Sequence, residues 1–180
     1  MKDKGLFYVG LMVLLLGALF FLLNVGSTLF GRGSLLSIGR LWPLLIIWAG
    51  LAFFLPIFIW WENRDQLYGL AMPGTIILVN GLILLYSSLT RDWGSWAFLW
   101  TLEPLAVALG LLALYILGAR AQALLIAALV VGGVSLALFA ILASALGYVA
   151  GGIVGAFLLI AFGVILVVRA VLARPASDAE

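Results

Sequence analysis

The stretch LFYVGLMVLLLGALFFLLNVGSTLF, residues 6–30, decides the fold class of this chain. It carries no charge and is longer than the about 20 apolar residues that take an α-helix across about 30 Å of hydrocarbon. A cleaved signal peptide has a shorter apolar core, of about 7–15 residues, followed by a small-residue cleavage site. Because residues 6–30 lack an Ala-x-Ala site, we expect them to form an uncleaved first transmembrane helix.

The composition extends this expectation to the whole chain. Hydrophobic residues make up 67% and charged residues 9% of the 180 positions, whereas soluble domains carry about 25% charged residues. Leu, Ala and Gly are abundant and no alternation of polar and apolar residues occurs, which favours helices over a membrane β-barrel. The sequence therefore predicts a single all-α integral membrane domain over residues 1–180.

Short polar segments divide the apolar sequence into six transmembrane helices. The predicted spans are residues 6–30, 41–61, 67–89, 96–117, 121–143 and a last helix ending near residue 172, with a polar tail at 173–180. The connection between the last two spans, residues 144–147, has the weakest polar signal. With six spans, both termini lie on the same side of the membrane.

The distribution of Lys and Arg predicts which side that is. Six basic residues fall on the side of the termini and three on the other, and cytoplasmic segments carry the excess of Lys and Arg. The sequence therefore places both termini in the cytoplasm. The first set is Lys2, Lys4, Arg64, Arg120, Arg169 and Arg174, and the second is Arg32, Arg40 and Arg91.

Tryptophan residues mark the predicted membrane interfaces. Trp60 and Trp61 end the second span, and Trp93, Trp96 and Trp100 precede or begin the fourth. Amphipathic aromatic rings are enriched at the headgroup level, so these residues are expected to be interfacial anchors. A stacking site for a ligand is the alternative.

The sequence pattern of one helical hairpin occurs three times along the chain. Gly17, Pro43 and Gly50 of the first copy correspond to Gly81, Pro104 and Gly110 of the second, with a slip of one residue at the last glycine. The third copy has no proline. We therefore predict three repeated helical hairpins, at about residues 5–61, 67–118 and 121–172.

The hairpin pattern resembles a known membrane region. An apolar helix with a central Gly and a terminal Asn, a short polar link, and then Trp42-Pro43-Leu44-Leu45 with a following Gly is similar to the LiaI-LiaF-like transmembrane region. Residues 72–81, with Trp93, Trp96, Trp100 and Pro104, continue the resemblance, which covers residues 5–117. The resemblance implies a multi-pass protein of the bacterial cytoplasmic membrane. Some members sense cell-envelope stress and others have no known activity.

Glu103 is the acidic residue farthest from the polar turns, and it replaces the Trp that the repeat has before proline. A charge within the membrane is costly, so such residues are candidates for function. Three interpretations remain open. Glu103 lies at the interface in a first helical turn, forms an ion pair with Arg40 or Arg91, or serves in a proton or ion relay.

Three further features could carry helix contacts or function. Asn24 and Asn80 lie in the first and third spans, where asparagine usually bonds a neighbouring helix and less often a substrate. Small residues allow close helix approach, so the glycine stripe of the sixth span is expected to pack on the fifth span, or else on a second copy or a partner subunit. That stripe is Gly147, Gly151, Gly155 and Gly163.

The chain has no Cys and no His, and it shows no nucleophile set, metal-ligand cluster, phosphate loop or close carboxylate pair. We therefore expect neither enzymatic activity, nor a cofactor, metal or nucleic-acid partner. The lipid bilayer is the expected partner. Two functions remain: a scaffold, accessory subunit or sensor that acts through helix–helix contacts, or a small six-helix transporter or channel.

Overall fold

The computed structural model of the protein describes residues 3–31 and 37–172. Within this part every regular element is helical, which confirms the all-α prediction. The predicted tail and the basic residues Lys2, Arg32 and Arg174 lie outside the described residues. The helices are α1 (Lys4–Phe30), α2 (Ile38–Leu41), α3 (Pro43–Ile59), α4 (Arg64–Leu67), α5 (Ala71–Thr90), α6 (Trp96–Leu99), α7 (Glu103–Leu114), α8 (Gln122–Ala145) and α9 (Val149–Leu172).

Five helical segments are long and apolar enough to cross a membrane, which supports an integral membrane protein. They are Lys4–Leu29, Trp61–Thr90, Trp93–Gly118, Gln122–Ala145 and Val149–Val171. The remaining apolar helix, α3, has 17 residues. At about 1.5 Å per residue it is about 25 Å long, slightly short of the hydrocarbon core of about 30 Å.

The long helices pack in a row that follows the order of the chain. Helix α1 packs on α3, α3 on α5, α5 on α7, α7 on α8, and α8 on α9. The two end helices are the least covered. In the most apolar stretch of each segment, 11% of α1 and 6% of α9 are buried, against 33% for Trp93–Gly118. The centre of the row is therefore formed by α3, α5, α7 and α8.

Glycines allow α3 and α5 to approach closely. A Cβ atom at Gly81 would lie 2.7 Å from the side chain of Ile47, and one at Gly50 would lie 2.7 Å from that of Leu78. Nearer the start of α5, a Cβ atom at Gly74 would meet the ring of Phe54 of α3 in the same way. These contacts show that the two helices are antiparallel.

The segment before α7 is an irregular helix. Two 3₁₀ turns, Trp93–Ser95 and Trp100–Leu102, flank the short helix α6. The side chains of Phe98 and Leu99 are buried in an apolar cluster that also contains Phe139 of α8. This packing holds the irregular segment between α5 and α8.

The connection between α8 and α9 is a tight turn at residues 146–148. Gly147 has φ +79°, a conformation that side-chain-bearing residues rarely adopt. The Tyr148 N–H donates to Ala143 O and the Gly147 N–H to Ser144 O, which closes the end of α8. The turn between α8 and α9 therefore overlaps the connection that the sequence predicted at residues 144–147.

Candidate functional site

Asn80 and Glu103 form a hydrogen-bonded pair between α5 and α7. The Asn80 Nδ2 donates to Glu103 Oε2 at 2.8 Å and to the backbone oxygen of Ile76 at 3.0 Å. Both side chains are partly buried. Asn80 lies halfway along α5, and Glu103 is the first residue of α7. The structure thus joins two residues that the sequence singled out separately.

The pair lies level with the first half of α3 and with the middle of α8. On one side, the Gly81–Ile47 and Gly50–Leu78 contacts place Trp48 of α3 level with Asn80. On the other, Ser135 near the middle of α8 donates its hydroxyl proton to the backbone oxygen of Thr101. The turns from Trp93 to Leu102 take Glu103 about 15 Å from Trp93 along the helix axis, at about 1.5 Å per residue. Glu103 is therefore far from Trp93 along the axis, whereas Trp100, three residues before it, is only about 4.5 Å away.

The hydrogen bonds around Thr101 follow from the helix irregularity before Pro104. Proline has no N–H to donate and disrupts the regular backbone ladder. The Thr101 hydroxyl donates to Phe98 O at 2.6 Å, and the Thr101 carbonyl accepts from Ser135. Both side chains are fully buried, with relative exposures of 0%. Side-chain hydroxyl groups therefore donate hydrogen bonds to backbone carbonyl groups of the interrupted helix.

The basic residues suggested as partners of Glu103 lie elsewhere. Among the described residues the ion pairs are Lys4–Glu62, at 3.1 Å, and Arg64–Asp65, at 3.9 Å. Arg40 and Arg91 are in neither. Arg40 sits beside the end of α5, where its carbonyl accepts a hydrogen bond from Ser88 at 2.8 Å.

Asn24 does not join the pair. It is exposed on α1, and its Nδ2 donates to Phe20 O of the same helix at 2.8 Å. Together with Ser27, Thr28, Ser37 and residues 38–39, Asn24 lines a cleft of about 690 Å³ between α1 and α2. This position separates it from Glu103.

The glycines of α9 differ in their surroundings. A Cβ at Gly155 would lie 2.7 Å from Ala140 Cα, and one at Gly151 would lie 3.1 Å from Ala143 Cβ, so both face α8. Gly147 belongs to the turn, and Gly163 has open space around its Cβ position. Two members of the stripe thus make the contact with the preceding helix that the sequence favoured.

The tryptophan residues that were predicted to be interfacial anchors form two groups. Trp60 packs edge-on against Tyr8, with ring centroids 6.0 Å apart, and Arg64 lies 4.9 Å above the ring of Trp61. At the other end, the rings of Trp93 and Trp100 are exposed. Trp96 is partly buried against the apolar cluster.

Sequence reasoning missed Thr101, Ser135 and Trp48. The buried Nε1 of Trp48 has no acceptor within the described part of the chain. Ser135 is an isolated polar residue in an apolar span, a signal that could have been used. Trp48 gave no signal, since its depth becomes evident only from the register of α3 against α5.

Asn80 and Glu103 do not line the cavities of about 340, 690 and 770 Å³ that occur among the described residues. Groups of three or more His, Cys, Asp or Glu side chains that could hold a metal ion do not occur in residues 3–31 and 37–172. A single carboxylate and an amide offer a hydrogen-bonded contact and a place for one proton.

No protein-family model, curated protein or solved structure matches this chain.

Proposed function

We propose that the protein is a non-enzymatic, multi-pass scaffold or accessory subunit that acts through helix–helix contacts in the membrane. The observation that carries the proposal is the row of helices. Helices α1 and α9 each pack chiefly on one long neighbour and leave most of their apolar surface uncovered. A row with two free ends offers lateral surfaces to a second copy or a partner subunit.

The proposed topology has six spans in three hairpins. Helix α3 is short, but α2 and Trp42 lead directly into it and lengthen the segment. The Lys4–Glu62 ion pair brings the start of α1 beside the end of α3, as a hairpin requires. Helix α3 begins at Pro43 and α7 has Pro104 as its second residue, in support of the repeat. The positive-inside rule favours cytoplasmic termini.

A sensory role is the more specific form of this proposal. It rests on the sequence resemblance to the LiaI-LiaF-like transmembrane region, some members of which respond to envelope stress. Sensing by a protein of this shape would consist of a change in the partner bound at α1 or α9. The same resemblance supports a bacterial cytoplasmic membrane as its location.

Cysteine crosslinking in native membranes tests the scaffold. The chain has no cysteine, so each introduced thiol is unique. We expect Phe157→Cys on α9 or Phe21→Cys on α1, both more than 60% exposed, to give one stoichiometric crosslinked species. Ala128→Cys, 6% exposed, is the internal control and should give none. Monomer alone at both exposed positions would contradict the proposal.

Transport is the second candidate, and the Asn80–Glu103 pair is the observation that favours it. Transporters place discontinuous helices and polar groups near the bilayer midplane, and α7 begins at Glu103 after irregular turns. Proton flux in proteoliposomes tests this alternative. It requires flux in the wild type and loss of that flux in Glu103→Gln, and equal flux in both would exclude a relay through Glu103.

A further inference from the structure

An apolar groove lies between α5 and α9. These two helices are not neighbours in the row, and the irregular segment 93–102 with α8 forms the floor between them. The floor is buried, with exposures of 6% for Ile83, 3% for Phe98 and 6% for Phe139. The volume, about 770 Å³, falls within the range of about 300–1,000 Å³ typical of small-molecule sites.

The rims of the groove are open to the side. On α5 the rim residues Leu82 and Tyr86 are 56% and 51% exposed, and on α9 Val149 and Val154 are 72% and 52% exposed. All of these are apolar or aromatic. An occupant therefore enters laterally, from the surroundings of the membrane-spanning helices.

The lining of the groove extends along the helix axes. Tyr86 lies near the end of α5, about 9 Å from the level of Asn80, and Leu109 lies about 9 Å beyond Glu103 on α7, at about 1.5 Å per residue. The lining therefore extends about 18 Å, about 9 Å to either side of the level of the Asn80–Glu103 pair. A single acyl chain has the shape and chemistry to fill such a space.

Polar groups and charges of both signs lie at the shallow end. The Tyr148 hydroxyl and the Asp92 Oδ1 each lie 3.2 Å from the Cβ position of Gly94. Arg91 is exposed at the end of α5 and belongs to neither ion pair found among the described residues. Its neighbour Asp92 accepts a hydrogen bond from the Ser95 N–H at 3.2 Å, at the start of the irregular segment.

From these features we propose that the groove binds one acyl chain of an anionic phospholipid, whose phosphate lies at Arg91. The apolar floor stabilises the chain and the arginine selects the charge. A basic residue near the membrane surface contributes about 1 kcal/mol toward an anionic headgroup, which corresponds to about a fivefold preference. The site is independent of the contacts proposed at the outer faces of α1 and α9.

Native mass spectrometry of the full chain, titrated with phosphatidylglycerol or phosphatidylcholine, tests this site. We expect one tightly held phosphatidylglycerol per chain. Val154→Trp, which fills the groove, should lower its retention about tenfold, as expected for losing burial of a few methylene groups at about 0.8 kcal/mol each. Val164→Trp is the matched control, since Val164 is 56% exposed on the same helix and does not line the groove.

The headgroup is tested separately with Arg91→Gln, an exposed position where the fold is not at risk. This variant should bind phosphatidylglycerol about fivefold more weakly and phosphatidylcholine unchanged, whereas Arg169→Gln should match the wild type. Equal retention by Val154→Trp and wild type overturns the site. Equal binding of the two lipids by the wild type overturns the anionic headgroup, and a dimer lost in Val154→Trp identifies a second copy as the occupant.

Discussion

At the scale of single residues, the sequence could indicate which side chains matter but not which of them meet. Glu103 and Asn80 stand out because polar groups are rare in such an apolar chain. Their contact depends on the register of α5 against α7, which no local pattern encodes. The same holds for Ser135, whose acceptor is a carbonyl freed by the irregular turns before Pro104. Lipid supplies no hydrogen bonds, so these groups bond to one another.

The Asn80–Glu103 hydrogen bond should stabilise the folded protein modestly. Side-chain hydrogen bonds between membrane helices contribute about 0.6 kcal/mol on average and up to about 1.7 kcal/mol. Asn80→Ala should therefore lower the free energy of unfolding by about that amount. Glu103→Gln should cost less, because its amide oxygen accepts the same bond. Unfolding in mixed detergent micelles measures both values.

A double-mutant cycle with Asn80→Ala and Glu103→Ala isolates the pair, because each of these substitutions removes the hydrogen bond. Thr75→Ala is the control on α5, because the Thr75 hydroxyl donates to the carbonyl of Ala71 in its own helix. A coupling energy of zero between positions 80 and 103 would show that the two side chains do not interact in the folded protein.

At the scale of helices, the sequence predicted the long apolar elements well and their irregularities poorly. The bounds of α1, α8 and α9 lie within a few residues of the expected ones, since a long apolar run between polar residues permits few other limits. The predicted span at 67–89 begins in the structure at Ala71, after short turns. The segment 93–102 is divided into turns because tertiary packing of Phe98 and Leu99 fixes its path.

The contact of α8 with α9 depends on Gly155. A Cβ there would lie 2.7 Å from Ala140 Cα and 3.1 Å from Ala140 N, both backbone atoms that cannot rotate away. We expect Gly155→Ala to lower the free energy of unfolding by about 1–3 kcal/mol, the usual cost of overpacking. The measurement is again unfolding in mixed micelles.

Gly163→Ala is the matched control on the same helix, since its Cβ position meets no atom within 4 Å among the described residues. It should leave the free energy of unfolding unchanged or raise it slightly, because Ala is a better helix former than Gly. If both substitutions had the same effect, intrinsic helix propensity would explain the glycines and the close approach would not.

At the scale of the whole molecule, the arrangement of the helices in a row could not be predicted from the sequence. In a soluble protein the polar face of a helix reveals which side is buried, but lipid is as apolar as a protein interior. The exposed and covered faces of α1 and α9 therefore carry similar residues. The order of the helices, and the groove that results between α5 and α9, follow from small-residue contacts spread over the chain.

The number of spans can be decided by a single pair of positions. If α3 crosses the membrane, Ile38 and Asn63 lie on opposite sides, and if it does not, they lie on the same side. Both side chains are exposed and neither is charged, so Ile38→Cys and Asn63→Cys should fold. We expect an impermeant maleimide added to intact cells to label Ile38→Cys and not Asn63→Cys, and to label both after the membrane is opened. Labelling of both in intact cells, or of neither, would mean that α3 does not span. Labelling of Asn63→Cys alone would agree with six spans in the reverse orientation. The excess of Lys and Arg would then lie outside the cell, against the usual cytoplasmic bias.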